Sequence, residues 1–134
     1  MKKSLLTQAL KISKEKLGNH PELRHFPHYT FIIQNNKIIE WATNCPGLPP
    51  IHYGYQQIAK QNGYQPKLHA EIAAYRRARG LLDKKPFEII NVRLSRSSKP
   101  RLSKPCPCCF HILKQLGCSH FYYSCDIGFS KVRA

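Results

Sequence analysis

A cluster of three cysteines constrains this chain more than any other feature. Residues 105–109 read Pro-Cys-Pro-Cys-Cys, and an amphipathic run that ends at Gly117 follows them. Cys106 and Cys109 have the Cys-x-x-Cys spacing, which lets two thiolates at the start of a helix reach one ion. The same thiols could instead form a disulfide or a redox pair, so the rest of the sequence must separate these three alternatives.

The beginning of the chain bears on which alternative is open to the cysteines. Residues 1–20 start like a signal peptide, but Gln8, Lys11, Lys14 and Lys16 interrupt the apolar residues and no small-residue cleavage site follows. No run approaches the roughly 18 apolar residues of a membrane span. We therefore expect a cytoplasmic protein, in which disulfides are rare and the six cysteines are available for metal, redox chemistry or burial.

Residue periodicity predicts an α/β protein with one domain over residues 1–134. Helical patterns cover 4–18, 68–80 and 107–116, and strand patterns cover 29–34, 37–43, 87–94 and 120–124. A two-residue turn is expected at Asn35 and Asn36, and a short helix around 55–61. The order of these elements predicts helices that cover a mixed sheet, and three loops are expected at the rim of a site: 44–55, 95–105 and the segment after Ser124.

A histidine and a carboxylate provide what the cysteines lack. His69 and Glu71 stand in the sequence His-Ala-Glu at the start of a predicted helix, 37 positions before Cys106. Three protein ligands with one open position make a catalytic rather than a structural zinc site, and a nearby carboxylate that is not a ligand can carry protons. We therefore predict a Zn²⁺ site formed by His69, Cys106 and Cys109, with Glu71 as the proton carrier. The positive ends of the two helices would favour thiolates there.

His-x-Glu followed by Pro-Cys-x-x-Cys is the signature of zinc-dependent nucleobase deaminases. On these residues the chain resembles the cytidine deaminase-like superfamily over residues 29–125. It is most similar to small phage and giant-virus members, which share Ser-Lys-Pro-Cys (103–106), a helix that ends in glycine (Gly117) and a Tyr-Tyr-Ser strand (122–124). The resemblance implies a three-layer α/β/α sandwich with a central mixed sheet. It also implies hydrolytic deamination, in which cytosine becomes uracil.

The resemblance further implies contacts with the substrate. An asparagine after the second hairpin strand binds the sugar in that superfamily, and Asn44 has this position, although a loop-capping asparagine is an equal alternative. Tyr53 offers a stacking surface. The basic loop, residues 95–105, could neutralise phosphates, although a solvated loop is the alternative. The expected substrate contacts are Asn44, Tyr53, Ala70, Arg96, Lys99 and Arg101.

The net charge favours a polyanionic partner. Twenty-two Lys and Arg against seven Asp and Glu give +15, which favours single-stranded DNA or RNA as the substrate, although a basic chain could also owe this charge to solubility. Three alternatives stay open: a free cytidine or deoxycytidylate deaminase, an adenosine deaminase acting on tRNA, and a non-catalytic nucleic-acid-binding module with structural zinc. Glu71 argues against the last, because a structural site needs no proton carrier.

The remaining cysteines receive simpler interpretations. Cys108 is expected to be a packed bystander, because its spacing from Cys106 would direct one sulfur away from the ion. Cys45, Cys118 and Cys125 are expected to be small core residues.

Overall fold

The computed structural model describes residues 3–19, 28–43, 70–95, 97–105 and 107–133. The helices of this part of the chain are α1 (Lys3–Asn19), α2 (Ala70–Ala78) and α3 (Pro107–Gln115). Its strands are β1 (His28–Gln34), β2 (Lys37–Thr43), β3 (Phe87–Leu94), β4 (Pro100–Arg101), β5 (Cys118–Cys125) and β6 (Gly128–Arg133). The predicted mixed α/β class is confirmed. The loop 44–55 and the short helix around 55–61 lie outside the described residues.

The described strands form one six-stranded mixed sheet in the order β2-β1-β3-β5-β6, with β4 paired to the end of β3. Strands β3 and β5 run parallel, and every other neighbouring pair is antiparallel. Parallel neighbours need a crossover, and α3 provides it between β3 and β5. None of the described helices is long and apolar enough to cross a membrane.

Helices cover both faces of the sheet because strand side chains alternate between faces. On β1, Tyr29, Phe31 and Ile33 belong to a core shared with α1, whereas Ile32 belongs to a second core shared with α2 and α3. The helix predicted over 4–18 is confirmed as α1, and its leucines and Ala9 pack against the first core. The second core lies between the sheet and the two helices that carry the predicted motifs.

The hairpin between β1 and β2 has the predicted two-residue turn. Asn35 and Asn36 have φ of 54° and 58°, the left-handed conformation that a type I′ turn requires at both positions. A bulge follows: Ile32 pairs with Glu40 but Ile33 pairs with Ile38, so β2 contains one extra residue. The extra residue reverses the alternation, and both Ile38 and Trp41 therefore pack on the α1 side.

The expectation of a loop after Ser124 is wrong. The chain turns at Asp126 and Ile127 and returns as β6, antiparallel to β5 along its whole length. Only Phe129 and Val132 of this strand pack on the apolar cores, and its remaining residues are small or charged, so its hydrophobic pattern is weak. Pairing with β5 supplies its backbone hydrogen bonds regardless of that pattern.

Candidate active site

Glu71 lies in the first turn of α2 and is buried, with 1% of its surface exposed. Of the six acidic residues that the structure describes, it is the buried one, whereas the others are half-buried or exposed. Its Oε1 accepts a hydrogen bond from Asn91 Nδ2 at 3.1 Å. Its Oε2 is also buried but makes no hydrogen bond with any described residue. A buried polar oxygen left without a hydrogen bond is costly, so Oε2 has the capacity to accept one from a bound molecule or ion.

Asn91 connects Glu71 to the sheet. It is buried near the end of β3, and it lies directly opposite Thr30 in the register of β1 and β3. Its Oδ1 accepts a hydrogen bond from Thr30 Oγ1 at 2.8 Å. Its Nδ2 donates to Glu71 and also to the Ser103 carbonyl at 3.3 Å. One side-chain amide therefore joins the first turn of α2 to the segment that leads into the cysteines.

A pair of buried serines fixes that segment to the end of β5. Ser103 Oγ and Ser124 Oγ lie 2.8 Å apart, and the Ser124 backbone N–H donates to Ser103 Oγ at 2.8 Å. The Ser103 N–H donates in turn to the Ser124 carbonyl at 2.9 Å. Ser103 and Ser124 belong to the Ser-Lys-Pro-Cys and Tyr-Tyr-Ser motifs of the sequence, so the structure gives both serines a common function in positioning the start of α3.

The third helix begins at Pro107, a favourable first residue because proline has no N–H to leave unpaired. Cys109 follows in the same first turn and is buried, with 2% of its surface exposed. Because α2 and α3 both begin at the carboxyl ends of β3 and β5, the positive ends of two helix dipoles point toward this edge of the sheet. The predicted ligand Cys109 and the predicted proton carrier Glu71 thus belong to two helix starts that are linked through Asn91 and Ser103.

The two other predicted zinc ligands, His69 and Cys106, lie outside the described residues, as does the side chain of Cys108. Within the described ranges no three His, Cys, Asp or Glu side chains form a group that could hold a metal ion. The described members still fit zinc chemically: Cys109 is a buried thiol at a helix start and therefore a soft ligand, and Glu71, at the other helix start, has a buried carboxylate oxygen without a described partner.

The described part of the basic loop is exposed. Lys99, Arg101 and Lys104 are open to solvent, and Arg101 Nη1 approaches Asp126 Oδ1 at 3.8 Å, a surface contact that contributes little to stability. Ala70 is buried at the first position of α2. The remaining predicted contacts, Asn44, Tyr53 and Arg96, lie outside the described residues.

Sequence reasoning missed three polar residues, two beside Glu71 and one that bonds its partner Asn91. His28, at the start of β1, brings its Nε2 to 3.7 Å from Glu71 Oε1, and Thr30 and Asn91 follow as described above. A signal was present for Asn91, since a polar amide within the strand sequence FEIINVRL must find hydrogen bonds if that strand is buried.

Two cysteines of β5 can be compared with expectation. Cys118 is buried, as predicted for a core residue, and burial raises the pKa of its thiol to about 12. Cys125 is only half-buried, with Sγ 3.4 Å from the Gly128 carbonyl, because it stands at the turn into β6. Cys45 lies outside the described residues.

No protein-family model matches the chain, and no curated protein matches its sequence. The motif residues and the geometry around Glu71 are therefore the features of this chain that bear on its function.

Proposed function

We propose that this protein is a zinc-dependent hydrolytic deaminase with a cytidine deaminase-like fold, which converts cytosine to uracil in single-stranded nucleic acid. One observation carries the proposal. The His-Ala-Glu and Pro-Cys-x-x-Cys segments are far apart in sequence, yet Asn91 donates one hydrogen bond to Glu71 in the first and another to Ser103, at the edge of the second. Chance occurrence of either motif does not predict this proximity.

The proposed zinc ligands are His69, Cys106 and Cys109. One nitrogen and two sulfurs leave the fourth tetrahedral position open, as catalytic zinc sites do. A zinc ion held there would supply a Lewis acid and lower the pKa of a water molecule. The burial of Cys109 supports this assignment, because a site closed to bulk solvent strengthens every charge interaction within it.

Glu71 would take a proton from the attacking water, pass it to the ring nitrogen of the base, and later help to protonate the departing ammonia. Its carboxylate is buried at a helix start, which keeps it out of bulk solvent and holds it in one orientation through Asn91. General acid–base groups contribute about a hundred- to ten-thousand-fold to rate, and Glu71 would serve at each of these proton transfers.

The exposed cations of the basic loop would bind the substrate strand. Lys99, Arg101 and Lys104 lie between β3 and α3, on the segment that Ser103 fixes beside the proposed site. Phosphate contacts of this kind orient a strand without reading its sequence. Because these contacts would be made to backbone phosphates, the loop would bind the strand whatever bases flank the target.

The test is an activity panel with two matched variants. Wild type, Glu71→Gln and Glu15→Gln are loaded with zinc and incubated with cytidine, adenosine, their nucleotides, and single-stranded DNA and RNA. Ammonia release and product mass are then measured. Glu15 is an exposed acid of α1, so its variant makes the same change of charge away from the site. We expect cytosine deamination in strands by wild type and Glu15→Gln, and a loss of about ten-thousand-fold or more in Glu71→Gln.

Other results on the panel would change the conclusion. Turnover of free cytidine or deoxycytidylate only would replace the polynucleotide substrate by a small molecule, and inosine product would replace cytosine by adenine. Strand binding without product in any reaction would favour a binding module. Product formation by Glu71→Gln at the wild-type rate would remove Glu71 as the proton carrier.

A further inference from the structure

The two carboxylate oxygens of Glu71 have different surroundings. Oε1 receives the Asn91 amide at 3.1 Å, and the His28 ring nitrogen Nε2 approaches the same oxygen at 3.7 Å. Oε2 is equally buried and makes no hydrogen bond to any described residue. Among the described residues one oxygen of the carboxylate is held by a hydrogen bond and the other is not, so the two oxygens are not equivalent as proton acceptors.

The orientation of the Asn91 amide is determined by its partners. Nδ2 faces two acceptors, Glu71 Oε1 and the Ser103 carbonyl, while Oδ1 faces the Thr30 hydroxyl at 2.8 Å. Exchange of nitrogen and oxygen would direct Oδ1 at both acceptors and replace two hydrogen bonds by repulsion. Asn91 is therefore a fixed donor to Oε1, because the sheet on one side and the cysteine segment on the other prevent it from turning.

We propose that Asn91 is a positioning residue that reserves Oε1 as an acceptor and makes Oε2 the oxygen that moves the proton. This inference rests on the proposed function of Glu71. Asn91 Nδ2 at 3.1 Å and His28 Nε2 at 3.7 Å both lie beside Oε1, whereas Oε2 makes no hydrogen bond with any described residue and is the oxygen left for a proton from outside this group. Oε2 takes one proton from the attacking water and gives it to the substrate, so the carboxylate returns to its starting state within each turnover.

Thr30 is assigned a smaller part in the same arrangement. Its hydroxyl is buried, and its hydrogen bond to Asn91 Oδ1 holds the amide against rotation. Without that bond Asn91 could still donate to Glu71 and to the Ser103 carbonyl, so Glu71 would be held less firmly but would keep its orientation. The structure thus predicts a graded series, in which Asn91 variants are more severe than Thr30 variants.

The kinetic test compares Asn91→Leu and Thr30→Val with the control Gln34→Leu. Gln34 is a buried amide on the same face of the sheet at the opposite end of β1, where it bonds the backbone of Asp83 and Lys85. We expect Asn91→Leu to lower kcat by about ten- to a hundred-fold with KM within about twofold, since partners of a site's primary groups typically contribute this much. Thr30→Val should also lower kcat, by a factor several-fold smaller than the factor in Asn91→Leu. Gln34→Leu should leave kcat unchanged at temperatures where the variant is folded.

The inference would be overturned by an equal fall of kcat in Asn91→Leu and Gln34→Leu, which would indicate general destabilisation. A rise of KM at constant kcat would overturn it as well, because Asn91 would then act in substrate binding. Where Asn91→Leu does not fold, Thr30→Val, which keeps the shape of the side chain, decides alone: wild-type kcat in that variant contradicts the inference.

A stability measurement separates this inference from the proposed function. The urea midpoints of Asn91→Leu, Glu71→Ala and the double variant form a cycle that needs no turnover. We expect the double variant to lose less than the sum of the single losses, because Asn91→Leu leaves the buried carboxylate without its amide donor only when Glu71 is present. Additive losses would show that Asn91 does not hold Glu71. If the losses are coupled but the protein deaminates no substrate, the contact between Asn91 and Glu71 is supported and the proposed deaminase function is rejected.

Discussion

At the scale of single residues, Cys118 is a buried group whose ionisation affects stability, and it lies away from the proposed site. It occupies the start of β5 within the core between the sheet and the two motif helices. Burial disfavours the charged thiolate and raises the pKa of the thiol from 9.0 to about 12. The folded protein therefore keeps a proton that the unfolded chain releases.

This difference predicts a loss of stability in alkaline solution. Between the unfolded pKa of 9.0 and the folded pKa of about 12, the folded state binds one more proton at Cys118, so the free energy of unfolding falls as pH rises. The slope contributed by this thiol is about 1.4 kcal/mol per pH unit. Urea unfolding of wild type and Cys118→Ala from about pH 8 to about pH 10.5 should give a shallower decline for the variant.

Loss of packing must be separated from loss of titration. Ile112→Val truncates a buried neutral side chain in the same core, and it should lower stability by a similar amount at every pH. Parallel curves for wild type and Cys118→Ala across this range would contradict the assignment of the titrating group to Cys118.

The sequence allowed only part of the residue-scale arrangement to be predicted. Glu71 was identified because its motif has a fixed spacing, and a spacing is visible without any knowledge of the fold. The contact between Asn91 and Glu71 depends on the register that pairs Thr30 with Asn91 and on the helix packed above them. No local pattern records either fact, so the polar residue was visible and its partner was not.

At the scale of elements, the β1–β2 hairpin offers a direct test of turn chemistry. Asn35 and Asn36 both have positive φ, which asparagine tolerates and glycine adopts without strain. Asn36→Gly should therefore raise the free energy of unfolding by up to about 1 kcal/mol, while Asn36→Val should lower it by about 1 kcal/mol or more, because a branched side chain is strained there. Chemical denaturation of the three proteins measures both changes, and a stabilising valine would reject the type I′ assignment.

Element boundaries were predictable where local pattern and tertiary pairing agree. The strand-like run at 87–94 matches β3 residue for residue, because β-branched residues at these positions are buried on both faces of the sheet. The bulge in β2 was not predictable, since Ile38, Ile39 and their neighbours are apolar in either register. Because α1 and α2 pack on opposite faces of the sheet, the structure directs Ile38 to the α1 side and Ile39 to the α2 side.

At the scale of the whole molecule, the charge of +15 predicts how nucleic acid should bind. Each neutralised phosphate of a single strand releases counterions, so log affinity should fall against log salt with a slope of about −0.7 per phosphate. Replacement of Lys99, Arg101 and Lys104 by alanine should make that slope shallower by about two units. Fluorescence anisotropy of a labelled oligonucleotide at several salt concentrations measures both slopes.

A variant of equal charge shows whether the loop or the total charge is responsible. Lys3, Lys11 and Lys14 are exposed on α1, on the other face of the sheet, and their replacement by alanine removes the same three charges. The slope measured for this control should differ from the wild-type slope by no more than the contribution of one phosphate, about 0.7. If both triple variants change the slope equally, the total charge of the protein and not the loop attracts the nucleic acid. If the affinity does not depend on salt, the loop does not bind phosphates.

Strand β6 has a consequence for how the protein behaves in a crowded solution. It is the outermost strand on its side of the described sheet, and a strand with one unpaired margin can recruit a strand from another copy. Lys131 and Arg133 are exposed on it, so two copies aligned along this margin would bring like charges together. The same basic character that favours a polyanion thereby discourages aggregation, and a polyanion in excess would weaken that protection while it is bound.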